Sequence, residues 1–213
     1  MEQEQMETNL KGIRQLLSHL HGEITALEAS YTQMLRVLRK LEGEADFDEL
    51  TGLLRKKAFF SRWTEVLEEC AKLGKNCGVL MVDIDHFKNV NDTHGHPTGD
   101  AVIQRVGELL KQFESPRVFA GRYGGEEFVV SVQGTDAEIL GIAEMMRRSI
   151  ERLHGPVVNG NATKPSNVEW RCTASVGMAS AAKDGHQPEK LLQAADDALY
   201  EAKTKGRNQV RVA

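Results

Sequence analysis

The stretch that decides the fold is Arg122-Tyr123-Gly124-Gly125-Glu126-Glu127-Phe128-Val129-Val130, in which a glycine pair separates two apolar runs. Val118-Phe119-Ala120 precedes it and Ser131-Val132 continues it. Branched and aromatic residues on both sides of two glycines predict a β-hairpin whose tip needs a positive φ. Glu126 and Glu127 would stand at that tip, where a carboxylate can hold a metal or accept a proton. Taken alone, the stretch favours a plain hairpin with two solvated glutamates. Whether the tip is a functional site depends on the rest of the chain.

Length and composition describe an ordinary globular protein. The 213 residues are 40% hydrophobic and 27% charged, which is typical of one domain with an attached segment, or of two small domains. No run approaches the roughly 20 apolar residues of a membrane span, and the acidic N-terminus is unlike a secretory signal. The net charge of −4 argues against a nucleic-acid polymer as partner. Cys70, Cys77 and Cys172 form no C-x-x-C pair, which predicts packed, reduced thiols and a cytoplasmic location.

Residues 6–41 carry an unbroken 4-3 repeat of apolar residues without any proline. Its members are Met6, Leu10, Ile13, Leu17, Leu20, Ile24, Leu27, Tyr31, Met34, Leu38 and Leu41. A period of 3.5 residues sustained in this way predicts a left-handed coiled coil. The alternative is an amphipathic helix folded back on the domain. The repeat ends at Gly43-Glu44-Ala45-Asp46, so we predict a dimerisation helix over residues 1–46 and a globular domain over residues 47–213.

Strand-like and helix-like patterns alternate through the globular part. Gly78-Val79-Leu80-Met81-Val82-Asp83-Ile84-Asp85 predicts a central strand covered on both faces. Its two aspartates would share one face, where they coordinate a hard cation or simply cap the strand. Helical periodicity is found near residues 58–70, 87–94, 97–110, 139–150 and 188–202. Strand patterns cover 168–178 and 210–212, with an exposed loop at 159–167. The order predicts an α+β fold, a mixed central sheet flanked by helices.

Five motifs between residues 48 and 213 occur in a fixed order. They are Asp48-x-Leu50-Thr51-Gly52-Leu53, Asp83-Ile84-Asp85-x-Phe87-Lys88-x-x-Asn91-Asp92-x-x-Gly95-His96-x-x-Gly99-Asp100, Arg122-Tyr123-Gly124-Gly125-Glu126-Glu127-Phe128, Ser175-Val176-Gly177 and Ala195-Asp196-x-Ala198-Leu199-Tyr200-x-Ala202-Lys203-x-x-Gly206-Arg207-Asn208. Together they resemble the GGDEF-domain diguanylate cyclases, in the variant with Glu as the first acidic residue. The resemblance implies a fold related to the palm of nucleotide cyclases. It also implies that two GTP molecules condense into cyclic di-GMP with loss of two pyrophosphates.

The resemblance further implies roles for individual residues. Mg²⁺ or Mn²⁺ would be held by Asp83, the main-chain carbonyl of Ile84, Glu127 and Glu126. Glu126 matches the general base, although either glutamate can take either task. The matching substrate contacts are Lys88, Lys203 and Arg207 for the triphosphate, Asn91 and Asp100 for guanine, and Phe87, Gly124 and Gly125 beside the nucleotide. Because each domain offers one nucleotide site, the product needs two domains. We therefore expect a homodimer joined by a parallel two-stranded coiled coil.

The chain departs from the family pattern in two places. Leu54-Arg55-Lys56 stands where the family usually has Pro-Asn-Arg, which removes an Asn suited to cap the next helix. Ser115 and Val118 stand where an Arg-x-x-Asp would form a product-inhibition site, so we expect that site to be absent. Two alternatives to an active cyclase stay open at this point. One is a degenerate module that binds GTP and signals through its helix, and the other is a structural dimerisation protein.

Overall fold

The computed structural model describes residues 46–158 and 168–213, together with residues 21, 23, 24, 27, 30, 33 and 34. The chain divides into two compact units, Met1–Ala45 and Asp46–Ala213. The described positions of the first unit are helical and exposed. Most of the predicted coiled coil, and the predicted loop at 159–167, lie outside the described residues. Among those described, no helix combines the length and apolar character that crossing a membrane requires.

The second unit is built on a six-stranded sheet. In sequence order its strands are β1 (Leu54–Arg55), β2 (Cys77–Ile84), β3 (Val118–Arg122), β4 (Glu127–Gln133), β7 (Ala174–Ser180) and β8 (Val210–Val212). Their spatial order is β1-β3-β4-β2-β7-β8. Strand β2 is antiparallel to both of its neighbours, whereas β1 is parallel to β3 and β8 is parallel to β7. A separate small sheet pairs β5 (His154–Pro156) with β6 (Glu169–Arg171).

Helices cover both faces of the large sheet. They are α1 (Lys56–Leu73), α2 (Phe87–His94), α3 (His96–Gln112), α4 (Asp136–Glu151), α5 (Ala181–Asp184) and α6 (Pro188–Thr204). One core contains Leu80, Val82 and Ile84 of β2, and the other contains Val79 and Met81. All eight residues of β2 are buried, because successive side chains enter opposite layers. The predicted central strand and the predicted mixed sheet flanked by helices are confirmed.

Packing and capping define several local features. The aromatic pair of α1, Phe59 and Trp63, is fully buried, and all three cysteines are free and buried. Thr135 caps α4, since its hydroxyl accepts from the Glu138 N–H while the Glu138 carboxylate accepts from the Thr135 N–H. No side-chain hydrogen bond caps α1 at Arg55, as the missing Asn predicted. Arg55 instead donates to the carbonyl of Phe47.

Two features differ from the sequence-based expectation. The strand predicted over 168–178 is divided into β6 and β7, because Cys172 and Thr173 between them are not in a strand. There the Thr173 carbonyl accepts a hydrogen bond from the Asp85 N–H. The Thr173 hydroxyl donates a hydrogen bond to the Asp85 carboxylate. The connection between the helical patterns at 87–94 and 97–110 is reduced to Gly95 alone, whose φ of 81° lets one helix follow another directly.

Candidate active site

The two candidate metal ligands are neighbours in the sheet. Glu127 begins β4 and lies in register with Asp83 of β2. Residues opposite each other on antiparallel strands place their side chains on the same face of the sheet. The Ile84 N–H donates to the carbonyl of Glu126 at 3.3 Å, which fastens the hairpin tip to the end of the central strand. The sheet therefore delivers the carboxylates of Asp83 and Glu127 side by side.

Negative charge is crowded at this end of β2. Asp83 is only 6% exposed. Burial raises the pKa of its carboxyl group, and the charges of Glu126 and Glu127 act in the same direction, against the ion pair with Lys203. Carboxylate oxygens are the donors that Mg²⁺ prefers, so this pair fits a divalent cation. Within the described residues, no group of three or more acidic, histidine or cysteine side chains is arranged to hold a metal. The donors that the fold brings together are thus the pair Asp83 and Glu127.

The glycine pair has a different purpose from the one predicted. Neither Gly124 nor Gly125 has a positive φ, so the expectation of a left-handed tip is wrong. The connection is a loop over residues 123–126 and not the two-residue turn that demands positive φ. A Cβ on Gly124 would lie 2.5 Å from Oε2 of Glu127, whereas one on Gly125 would meet nothing within 4 Å. Gly124 therefore leaves space for the Glu127 carboxylate, and Gly125 keeps the tip open.

An ion pair between Arg122 and Asp48 stabilises the hairpin tip. Nη1 of Arg122 lies 3.1 Å from both carboxylate oxygens of Asp48. Its Nε donates to the Gly124 carbonyl at 3.1 Å and its Nη2 to the Gly125 carbonyl at 2.8 Å. Burial acts to raise the pKa of Asp48, but hydrogen bonds from Thr51 and the charge of Arg122 outweigh it and hold that pKa below its ordinary value. Sequence reasoning missed this contact, although both residues stand in quoted motifs.

Helices α2 and α3 bring the candidate guanine contacts together. Asn91 lies on α2, and the exposed Asp100 lies in the first turns of α3. A Cβ on Gly99 would lie 2.0 Å from Oδ1 of Asn91, so the Asn91 amide rests directly on the backbone of α3. Gly99 was noticed only as part of a motif, and the structure supplies its physical reason.

The first turn of α2 offers hydrogen-bond donors. Within the described part of the chain, the main-chain N–H groups of Phe87 and Lys88 make no hydrogen bond. Such groups at a helix N-terminus attract anions. The Phe87 ring is buried, so this residue borders the site through its backbone. The Lys88 side chain is exposed beside it.

Helix α6 supplies the remaining basic groups. It packs closely on β7, since a Cβ on Gly177 would lie 2.0 Å from the Ala195 carbonyl oxygen and 2.3 Å from the Leu199 nitrogen. Nζ of Lys203 reaches 2.7 Å from Oδ2 of Asp83. The structure therefore joins a predicted phosphate contact to a predicted metal ligand. Arg207 lies beyond the helix end and is exposed, and its side chain has no ion pair among the described residues.

The two aspartates of the β2 motif do not share one environment. Asp85 lies just past the strand end and accepts hydrogen bonds from the hydroxyls of Thr173 and Ser175, whereas Asp83 faces Lys203. The Asp83 carboxylate thus contacts Lys203 and lies in register with Glu127, while Ile84 is joined to Glu126 through their main chains. The other predicted site residues, namely Phe87, Lys88, Asn91, Asp100, Gly124, Gly125 and Arg207, lie on the helices, tip and turn described above.

Comparison with known proteins identifies the family and related chains. A family model described as "Diguanylate cyclase, GGDEF domain" matches residues 45–209. The probable diguanylate cyclase DgcT of Escherichia coli K12 is 36% identical over 192 residues, which cover 90% of this chain and 41% of that protein. The diguanylate cyclase VdcA of Vibrio cholerae is 34% identical over 201 residues, covering 94% of this chain and 56% of that protein. The chain thus spans about half the length of these curated relatives.

A solved structure is similar in fold to most of this chain. The crystal structure of the coiled coil and GGDEF domain of DgcB from Caulobacter crescentus, in complex with c-di-GMP, has a TM-score of 0.77 to this chain at 28% identity. The similarity covers 91% of this chain and 99% of that one.

Proposed function

We propose that this chain, which belongs to the GGDEF family, is a diguanylate cyclase that condenses two GTP molecules into cyclic di-GMP and releases two pyrophosphates. The observation that carries the proposal is the pair Asp83 and Glu127, in register at the end of the central strand with Lys203 beside it. The similarity to curated diguanylate cyclases supports it. A cytoplasmic location, where GTP is available, belongs to the same proposal.

The site residues divide the chemistry among them. Asp83, Glu127 and the Ile84 carbonyl would hold Mg²⁺ or Mn²⁺, which neutralises phosphate charge and makes phosphorus more electrophilic. Glu126, at the tip, accepts the proton of the attacking 3′-hydroxyl. The phosphates are bound by the side chains of Lys88, Lys203 and Arg207, through charge-assisted hydrogen bonds. The first-turn N–H groups of α2 add hydrogen bonds that the helix dipole favours.

Guanine recognition belongs to Asn91 and Asp100. A carboxylate can accept hydrogen bonds from guanine N1–H and N2–H₂ together, and an amide offers both a donor and an acceptor. Adenine would set its N1 acceptor against the Asp100 carboxylate. An unpaired polar group costs about 1–3 kcal/mol, which corresponds to a preference for GTP of about 5- to 150-fold.

The direct test is product identity. Purified chain is incubated with Mg²⁺ and an equal mixture of GTP and ATP, while pyrophosphate release is followed and the product is identified by mass spectrometry. We expect cyclic di-GMP, and we expect EDTA to stop the reaction. GTP binding without pyrophosphate release would favour a degenerate binding module, and a mixed GMP–AMP product would contradict the role of Asp100.

Gly99→Ala is expected to raise the KM for GTP on the order of tenfold while the fold survives. The new methyl group would displace the Asn91 amide, which is the flexible end of a side chain and can rotate away. Steady-state kinetics and a thermal melt measure the two effects. The matched control is Gly141→Ala, also in a helix, where a Cβ would meet nothing within 4 Å. An unchanged KM in Gly99→Ala would remove Asn91 from guanine binding.

We expect weak or no feedback inhibition through the segment ahead of the hairpin. Ser115 and Val118 bond to each other through their main chains, and Val118 is packed in the core. Neither supplies the guanidinium fork or the carboxylate that would grip the product. Initial rates at rising concentrations of cyclic di-GMP check this. Potent non-competitive inhibition that Arg117→Ala removes would show that an inhibition site exists in shifted form.

A further inference from the structure

The turn that follows α6 has a strained backbone. Gly206, Arg207 and Asn208 have consecutive φ values of 109°, 62° and 45°. Apart from His86, Arg207 and Asn208 are the only non-glycine residues with positive φ in the described part of the chain. This region is unfavourable for residues with a Cβ, so a run of it persists only where surrounding contacts hold it.

A buried carboxylate holds the turn from the sheet side. Oδ2 of Asp85 accepts the Asn208 N–H at 3.0 Å and the Thr173 hydroxyl at 2.7 Å. Oδ1 accepts the Ser175 hydroxyl at 2.7 Å. Asp85 is 5% exposed, and hydrogen bonds to an ionised acceptor in such a place are strong.

Helix α4 holds the same turn from the other side. Nδ2 of Asn208 donates to Oε1 of Glu151 at 2.7 Å, and its Oδ1 accepts from Nη1 of Arg147 at 2.6 Å. Nη1 of Arg147 also donates to Glu151 at 3.1 Å. Both the main chain and the side chain of Asn208 are therefore fixed, immediately after Arg207.

Beside this clamp, the neighbouring strands have pairing of their own. Strand β8 pairs with β7 in register from Val176 and Val210 onward, and the Val176 N–H donates to the Gln209 carbonyl. The hydroxyls of Thr173 and Ser175 already tie Asp85 to β7. The contact with Asn208 also fixes the main chain next to Arg207, whose side chain is exposed.

We infer that Asp85 and Asn208 are positioning residues that aim Arg207 at the substrate triphosphate. The inference rests on the proposed function, because it assigns the phosphate-binding arm of that reaction. The end of β2 thus carries the metal-ligand candidate Asp83 and, two residues later, Asp85, which holds the turn beside the phosphate-binding arginine.

A double-mutant cycle between Asp85 and Arg207 tests the inference in the full chain. Arg207→Ala should raise the KM for GTP on the order of tenfold, with a smaller change in kcat. Asp85→Ala should give most of that rise, and the double variant should be no worse than Arg207→Ala alone, because both changes remove one interaction. Asp85→Asn should stay close to wild type, since its oxygen can serve Asn208 while its amide donates to Ser175.

Asn208→Gly gives a second reading if Asp85→Ala folds poorly. Glycine accepts the positive φ freely and keeps the N–H bond to Asp85, but it loses the side-chain clamp to α4. Its KM should rise several-fold in the wild-type background and not in Arg207→Ala. A KM rise of equal size in both backgrounds, for Asp85→Ala or Asn208→Gly, would overturn the inference, as would an unchanged KM in Arg207→Ala. Absence of product from the wild-type chain would overturn the proposed function itself.

Discussion

Asp83→Ala and Glu127→Ala are each expected to lower the turnover rate on the order of 10²-fold or more, while the fold survives. Asp83 and Glu127 lie opposite each other on neighbouring strands, and burial raises the pKa of Asp83, with the charges of Glu126 and Glu127 acting in the same direction. Removing either one takes a ligand from a site with two carboxylates and leaves phosphate charge uncompensated. Stability should change little, because the Lys203 side chain is 32% exposed and can turn to solvent when its partner is lost.

The measurement is pyrophosphate release at saturating GTP over a Mg²⁺ titration, with a thermal melt of each variant. Glu114→Ala serves as the matched control, since that carboxylate is exposed and outside the site. Appreciable activity in either folded variant at high Mg²⁺ would mean that the metal ligands are misassigned.

The fold was predictable where one segment carries its own signal. The continuous apolar run of β2 predicts a strand that is buried on both faces. The helical periodicity of α6, which lies between Pro188 and the glycine turn, predicts a helix. Thr135 or Asp136 ahead of an apolar periodic run predicts a helix start for the same local reason. These patterns depend on neighbours in sequence, so one chain is enough to read them.

The prediction failed where partners are distant in sequence. The ion pair between Asp48 and Arg122 joins residues 74 positions apart. The break after β6 exists because Thr173 bonds to Asp85, 88 positions earlier. No periodicity encodes such contacts, so the strand over 168–178 was predicted as one piece.

Glycine was the least predictable residue in the candidate site. The pair Gly124-Gly125 suggested a left-handed turn, yet its backbone is ordinary and the requirement is space beside Glu127. Gly99 and Gly177 likewise serve close approach, to Asn91 and to α6. A glycine needed for space and a glycine needed for positive φ look the same in a sequence, and only the packing separates them.

Deleting residues 1–45 is expected to lower specific activity at nanomolar protein on the order of 10²-fold or more, while the globular unit stays folded. We propose that residues 6–41 form a parallel two-stranded coiled coil. Ile24, Leu27 and Met34 belong to the 4-3 series and are 57%, 76% and 62% exposed. Large apolar side chains exposed in such a series are typical of a face that pairs with another chain.

The cause of the loss is the chemistry of the product. Cyclic di-GMP joins two GTP molecules, and each globular unit offers one candidate site, so two units must meet. A coiled coil keeps them at high effective concentration, whereas free units meet rarely at nanomolar concentration. The truncated chain should therefore be monomeric by light scattering, and its specific activity should climb as its concentration rises. The unit 46–213 keeps both core layers of its sheet, which is why the deletion should leave it folded.

Point variants separate dimerisation from the mere loss of a segment. Ile24→Asp and Leu27→Asp put charge into the apolar series and should reproduce the concentration dependence in the full-length chain. Gln33→Asp is the matched control, because Gln33 is exposed and outside the series, and it should keep both the dimer and the activity. A truncated chain that stays fully active at nanomolar concentration would show that the helix does not bring the two sites together. The globular units would then have to pair through their own surfaces, tightly enough to survive dilution.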